Sequence, residues 1–151
     1  MILEPVENFP TIYTPEAVNE IIKLTRCQPY LVQLMCYEVV ELLNRDIRGN
    51  KRELEAICRD AKFRVSITDV RAVIPTVLER GEQYFRELWT SLQESDRNFI
   101  SRLSQGQIPT AQDQGIVKKL IRKEIVTPEG NALQIPLVQR FIEQVLEEAN
   151  N

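Results

Sequence analysis

The sequence predicts a mainly α-helical protein: a small helical bundle over residues 1–93, then a helix-turn-helix with a β-hairpin wing over 94–151. Apolar residues recur at spacings of three and four along most of the 151 residues. Helix starts are marked by Thr14-Pro15 and by Ser66-Ile67. Near the C-terminal end the pattern shortens to a strand, a turn and a strand: Ile125-Val126-Thr127, Pro128-Glu129-Gly130-Asn131 and Ala132-Leu133-Gln134-Ile135.

The elements follow in order. In Thr14-Pro15-Glu16-Ala17 the threonine can cap, proline fits the first turn, and the glutamate complements the N-terminal dipole. Val18, Ile21, Ile22 and Thr25 then set a one-faced helix over Pro15 to Thr25. Arg26-Cys27-Gln28 interrupts it, because a residue before proline is steered away from helical angles, and Pro29 opens the next helix.

That second helix carries Leu31, Val32, Leu34, Met35, Cys36, Val39, Val40, Leu42 and Leu43 around most of its circumference, so it is expected to be the central, most buried one. The pattern breaks from Asn44 through Arg52, and a charged helix is expected over Arg52 to Arg64. Ser66-Ile67-Thr68-Asp69 offers a capping box for a helix with Val70, Val73, Val77 and Leu78. Pro75 lies inside this helix, which must be short or kinked there. Tyr84, Phe85, Leu88, Trp89 and Leu92 form an aromatic stripe expected to pack between the two halves, and the boundary is placed near Leu92 to Ser95.

Beyond it, Ser95-Asp96-Arg97-Asn98 leads into a helix with Phe99, Ile100 and Leu103. Ser104-Gln105-Gly106-Gln107 is a polar loop, and Ile116, Val117, Leu120 and Ile121 mark a second helix, together a helix-turn-helix. The strand pair would be its wing. Pro136 to Glu148, with Leu137, Val138, Phe141, Ile142, Val145 and Leu146 at helical spacing, closes the chain.

Composition narrows the chemistry. With 43% hydrophobic and 27% charged residues, the chain sits near globular averages, and its apolar runs are too short for a membrane span. Its N-terminal residues lack the features of a secretory signal, so the expected compartment is the cytoplasm. Cys27, Cys36 and Cys58 are odd in number, widely spaced and without histidine partners, which matches neither a disulfide framework nor a zinc site. The absence of histidine also removes the usual general base of serine and cysteine hydrolases. A net charge of -3 gives no global attraction to phosphate backbones, so any nucleic-acid contact must come from a local patch.

Several linked fragments resemble, in order, the region C-terminal to the nucleotide-binding core of prokaryotic AAA+/STAND-like signalling ATPases. Glu4-Pro5-Val6 and Tyr13-Thr14-Pro15-Glu16-Ala17 are similar to the beginning of the small helical lid. Leu24-Thr25, Gln28-Pro29-Tyr30-Leu31-Val32-Gln33 and Cys36-Tyr37-Glu38 are similar to its sensor-like turn and following helix. Thr68-Asp69-Val70, Gly81-Glu82-Gln83-Tyr84-Phe85 and Leu88-Trp89 resemble a linker helix, and Ile135-Pro136-Leu137-Val138 resembles the last helix of a winged-helix domain.

The resemblance implies that Pro29 packs near the adenine of ATP or ADP, with Gln28 and Tyr30 as second choices. A rigid apolar ring can cover a purine face. Read without the resemblance, Pro29 is simply the first residue of a helix. Two departures stand out. Arg26-Cys27 occupies the place where the family commonly has Gly-Gly, and no histidine is present to sense a phosphate, which leaves Arg26 as a substitute.

The chain has no G-x-x-x-x-G-K-[ST] loop and no apolar strand ending in paired acids. The expected role is therefore a non-catalytic regulatory fragment of a larger ATPase. It has no cofactor of its own, while ATP or ADP with magnesium is held by the parent. Expected partners are an upstream nucleotide-binding domain in cis and other proteins or further copies of itself, but no membrane.

The alternative is a DNA-binding regulator whose helix from about Asp113 to Lys123 presents Lys118, Lys119, Arg122 and Lys123. These cations alternate with Ile116, Val117, Leu120 and Ile121, as on any amphipathic surface helix, and acidic residues adjoin them. DNA binding thus ranks second, beside a stand-alone protein-interaction adaptor.

Overall fold

The structure is a computed structural model that describes residues 12–150, so Glu4-Pro5-Val6 lies outside the described residues. It is mainly helical and divides into two compact units, Met1–Gly81 and Glu82–Asn151. The division falls where Gly81 ends one helix by bonding its N–H to the Val77 carbonyl, N-terminal to the boundary expected near Leu92. No helix among the described residues is long and apolar enough to cross a membrane.

In the first unit, α1 (Pro15–Thr25) begins as its sequence requires: the Thr14 hydroxyl accepts the Ala17 N–H at 3.2 Å and Pro15 occupies the first turn. Its buried stripe is Ala17, Val18, Ile21 and Leu24. The residues before it are tied down by a parallel bridge between Tyr13 and Val65, with Thr14 N–H to the Val65 carbonyl at 3.0 Å and Val65 N–H to the Ile12 carbonyl at 2.8 Å.

The second helix, α2 (Pro29–Arg48), is longer and more one-sided than its sequence suggests. Its buried face is Leu31, Val32, Met35, Glu38, Val39 and Leu43, whereas Tyr37 and Val40 are exposed. Asn44 does not break it. Residues 45–48 include good helix formers and a half-buried Ile47, and the helix stops only at Gly49, followed by Asn50 in the left-handed region at φ 54°.

The charged helix expected over Arg52 to Arg64 is cut to α3 (Leu54–Arg59) and a single 3₁₀ turn, Ala61–Phe63. Asp60 is the cause: its backbone is extended, and its carboxylate caps the next turn by accepting the Lys62 N–H at 3.0 Å.

The capping box at Ser66 is present and starts α4 (Ile67–Ala72). Asp69 accepts the Ser66 N–H at 2.7 Å and is also bonded by Arg52, which lies 3.1 Å from Asp46. Burial alone would raise the Asp69 carboxyl, but the Arg52 and Ser66 hydrogen bonds outweigh it and hold the group below its ordinary value. Pro75 splits the expected helix. A new one, α5 (Ile74–Arg80), starts with Pro75 in its first turn, where no N–H is missed.

In the second unit, Phe85 on α6 (Glu82–Thr90) is buried against Phe141 of α9 (Pro136–Asn150), rings stacked at 5.2 Å, with Tyr84 edge-on at 5.4 Å. Between them come α7 (Glu94–Ser104), a 3₁₀ turn at Ala111–Asp113, and α8 (Gln114–Arg122). Phe99, Ile100, Leu120 and Leu137 complete a closed core.

The expected strands are not present among the described residues; the wing region holds one isolated antiparallel bridge, Val126 to Leu133. Two hydrogen bonds flank it, Thr127 N–H to Ala132 at 2.9 Å and Gln134 N–H to Ile125 at 2.8 Å. Pro128 can donate to no ladder, and the turn closes at once through Gly130 N–H to Thr127 at 2.8 Å, so the pairing ends there. Gly130 has φ +72°, and a Cβ on it would lie 2.5 Å from Val117 Cγ1.

Candidate functional site: the α1–α2 knuckle

The turn between α1 and α2 is built from two consecutive left-handed residues, Arg26 at φ 48° and Cys27 at φ 61°. This backbone is where glycine has no steric penalty and other L-residues do. The sequence holds the turn by local hydrogen bonds. Arg26 N–H reaches the Ile22 carbonyl at 2.8 Å, Cys27 N–H reaches Thr25 Oγ1 at 3.3 Å, and Gln28 N–H reaches the Thr25 carbonyl at 3.0 Å. Thr25 is fully buried, and its hydroxyl donates back to Ile21 at 2.8 Å, which fixes the acceptor that Cys27 uses.

Gln28 ends the knuckle by capping α2, its Oε1 accepting Leu31 N–H at 2.8 Å while its carbonyl accepts Val32 N–H at 3.0 Å. The first-turn donors that could have gripped a phosphate are thus partly engaged by the protein itself. Exposed at the surface are Arg26, Cys27, Pro29 and Tyr30, the last 41% accessible, while Gln28 is half-buried. The structure therefore brings Arg26, Gln28, Pro29 and Tyr30 together as one small polar and apolar surface. It can cover a flat ring, but it has no enclosing walls among these residues.

Elsewhere in the first unit, the buried Tyr13 and the half-buried Cys36 of α2 share a side-chain hydrogen bond. Burial pushes the Tyr13 hydroxyl well above its ordinary value, with Cys36 adding to the effect, and burial likewise raises the Cys36 thiol. Neither is a ready nucleophile. No group of His, Cys, Asp or Glu among the described residues could hold a metal ion.

The second set of candidates lies on α8. Lys118, Arg122 and Lys123 are exposed, but Lys119 is engaged: its ammonium lies 2.7 and 3.0 Å from the two oxygens of the fully buried Asp96 and 2.7 Å from Gln93 Oε1. A matching clamp sits at the other end of the same helix pair, where Arg102 bonds Asp113 Oδ1 at 2.6 Å. Asp113 also accepts the Thr110 N–H and hydroxyl, each at 2.8 Å. The Arg102 contact first, then Thr110, holds this carboxyl far below the usual carboxylate range. Thr110-x-x-Asp113 is a second capping box, a functional pairing that the three-residue spacing in the sequence already displays.

A shallow cleft of about 390 Å³ lies between the start of α8 and the wing turn, lined by Thr110, Gln114, Lys118, Glu129 and Gly130 among others. No family model matches the chain, and comparisons with curated proteins and with solved structures find no match.

Proposed function

We propose that this chain is the lid and winged-helix part of an AAA+/STAND-like signalling ATPase. In this reading it performs no chemistry: the knuckle closes over a nucleotide held by an upstream core, and the helical units convert closure into a change of domain arrangement, oligomerisation or partner binding. The observation that carries the reading is the conformation of Arg26 and Cys27. The family resemblance places Gly-Gly at these two positions, and both residues hold the left-handed backbone that glycine adopts without strain. Pro29 then follows as the first residue of a capped helix and stays exposed, as a purine-facing ring must.

The winged-helix part of the proposal draws support from α7 and α8 clamped at both ends, with the Val126–Leu133 bridge as a minimal wing before α9. The partly self-satisfied start of α2 supports a covering role in preference to a phosphate-gripping one.

Calorimetric titration with ATP and ADP tests the proposal on the chain alone and on the chain joined to its native upstream sequence. The expected result is no measurable heat from the chain alone and binding by the longer protein, weakened by Pro29→Ala. Tight nucleotide binding by the chain alone would contradict this division of labour.

A further inference from the structure

The end of α8 is closed by a residue that stability alone does not explain. Glu124 N–H reaches the Ile121 carbonyl at 2.9 Å and Ile125 N–H reaches the Leu120 carbonyl at 3.0 Å, the paired bonds of a Schellman ending. That ending holds Glu124 in the left-handed region at φ 55°, a position that helices commonly give to glycine. Asparagine, as at Asn50, is also tolerated in this conformation because its short side chain can bond locally. A glutamate has no such help. Its exposed carboxylate has no ion pair or hydrogen bond among the described residues, and the same holds for the exposed ammonium of Lys123 beside it. Backbone strain of this kind gathers where a side chain is needed for something other than the fold.

Lys123 and Glu124 line the same cavity, which lies within the second unit and measures about 170 Å³. Its other walls include Leu88 of α6, Ile125, and Ile135 and Val138 around the start of α9. Val138 is buried and Leu88, Ile125 and Ile135 are half-buried, so the floor is apolar and the two exposed charges stand at the mouth. Pockets for cofactors and drug-sized molecules run to about 300–1,000 Å³, so a nucleotide is too large for this one. An apolar cavity of roughly 150 Å³ takes one benzene-sized group, comparable to a single leucine or phenylalanine side chain. A cation and an anion side by side above such a floor are the complement of a zwitterion that carries an apolar side chain.

We propose that this cavity binds a free apolar α-amino acid of the leucine or phenylalanine class. The side chain rests on Leu88, Ile125, Ile135 and Val138, the α-carboxylate meets Lys123, and the α-ammonium meets Glu124. A residue inside a peptide carries neither charge, a fatty acid brings only the anion, and an amine brings only the cation. The pair of opposite charges therefore selects the free amino acid. Glu124 gives up some helix-end stability for that contact. The inference stands apart from the ATPase reading: it concerns the second unit by itself and needs no nucleotide, so either can fail alone.

The test is a titration of the isotope-labelled full chain with L-leucine and with L-phenylalanine, read as amide shifts by NMR. Saturable shifts centred on Leu88, Ile125, Ile135 and Val138 are expected. Leucinamide and N-acetyl-leucine, each lacking one charge, bind about 2–5-fold more weakly, and glycine, which lacks the side chain, leaves these amides in place. Lys123→Gln weakens leucine by a similar factor. Glu124→Gly separates binding from folding, because it relieves the left-handed backbone: Tm rises while leucine binding weakens, a combination that a purely structural role for Glu124 does not produce. The proposal is overturned if neither amino acid shifts those amides, or if Glu124→Gly binds leucine as well as the parent chain does. It is also overturned if N-acetyl-leucinamide, which mimics an apolar residue within a peptide, binds as tightly as leucine, a result that would assign the cavity to a partner protein.

Discussion

Replacing Cys27 by glycine should make the protein more stable, although it removes a side chain. Cys27 holds φ 61° immediately after Arg26 at φ 48°. A left-handed L-residue costs about 1–2 kcal/mol, and glycine escapes that cost. Against this, glycine gives up about 0.5–1 kcal/mol through its freer unfolded chain. The Cys27 side chain is exposed, so little packing is lost, and the N–H bond to Thr25 Oγ1 survives the change.

The balance is a gain of about 0.5–1 kcal/mol, or a rise in Tm of about 2–8 °C for a unit of this size. Cys27→Val tests the other direction. A β-branched residue is a poor occupant of this conformation and should destabilise by about 1 kcal/mol or more. Urea unfolding followed by far-UV circular dichroism reads both variants. If glycine lowers stability, or if valine is neutral, the left-handed turn that underlies the proposed nucleotide cover is wrong.

Three further outcomes follow from the geometry. Lys119→Met leaves the fully buried Asp96 without its cation and should cost about 3 kcal/mol, near the lower end for a broken buried pair because the lysine is 35% exposed; Asp96→Leu in the same chain should recover most of the loss in chemical denaturation. Gly130→Ala combines a positive φ with a contact to Val117 and should cost about 2–4 kcal/mol, visible as a lower urea midpoint.

The pH limbs should also divide. Asp113 and Asp69 are depressed in the folded state, so their contribution is present above the ordinary carboxylate value of 3.8 and is lost as pH falls below it; Asp113→Asn should flatten the acid limb. Tyr13 is raised, so its contribution is complete below its ordinary value of 10.0 and is lost as pH climbs above it; Tyr13→Phe should flatten the alkaline limb of a thermal-melt series.

What could be read from residue order alone was what depends on near neighbours. Thr14-Pro15 and the Ser66 capping box start helices because a cap oxygen and the backbone N–H that donates to it lie three residues apart. Pro75 announces a break for the same reason. The end of α2 was misplaced because loss of apolar periodicity at Asn44 is not loss of helix: Arg45, Asp46 and Arg48 continue it on the solvent side. Asp60 cut the next helix through a side-chain cap that competes with the helical bonds, a contest that periodicity does not register.

At the sites, the knuckle was visible because its residues are contiguous. The separate fate of Lys119 was not, since Asp96 stands 23 positions earlier and only packing of α7 on α8 brings the two together. The wing illustrates a third case. Its turn chemistry was plain in Pro128 to Gly130, yet that chemistry leaves room for only one bridged pair.

The small bridge between Tyr13 and Val65 has a further consequence for how the first unit tolerates change in length. It pins the two ends of a loop that contains α1, α2 and α3, so the entropy of closing that loop is set at its base. Closure entropy grows only logarithmically, by about 0.6 kcal/mol for each doubling of the loop. The exposed turn at Gly49, Asn50 and Lys51 is therefore a place where this architecture can accept added residues at little thermodynamic cost. A reporter peptide or a labelling tag set there would lengthen the loop without touching its clasp.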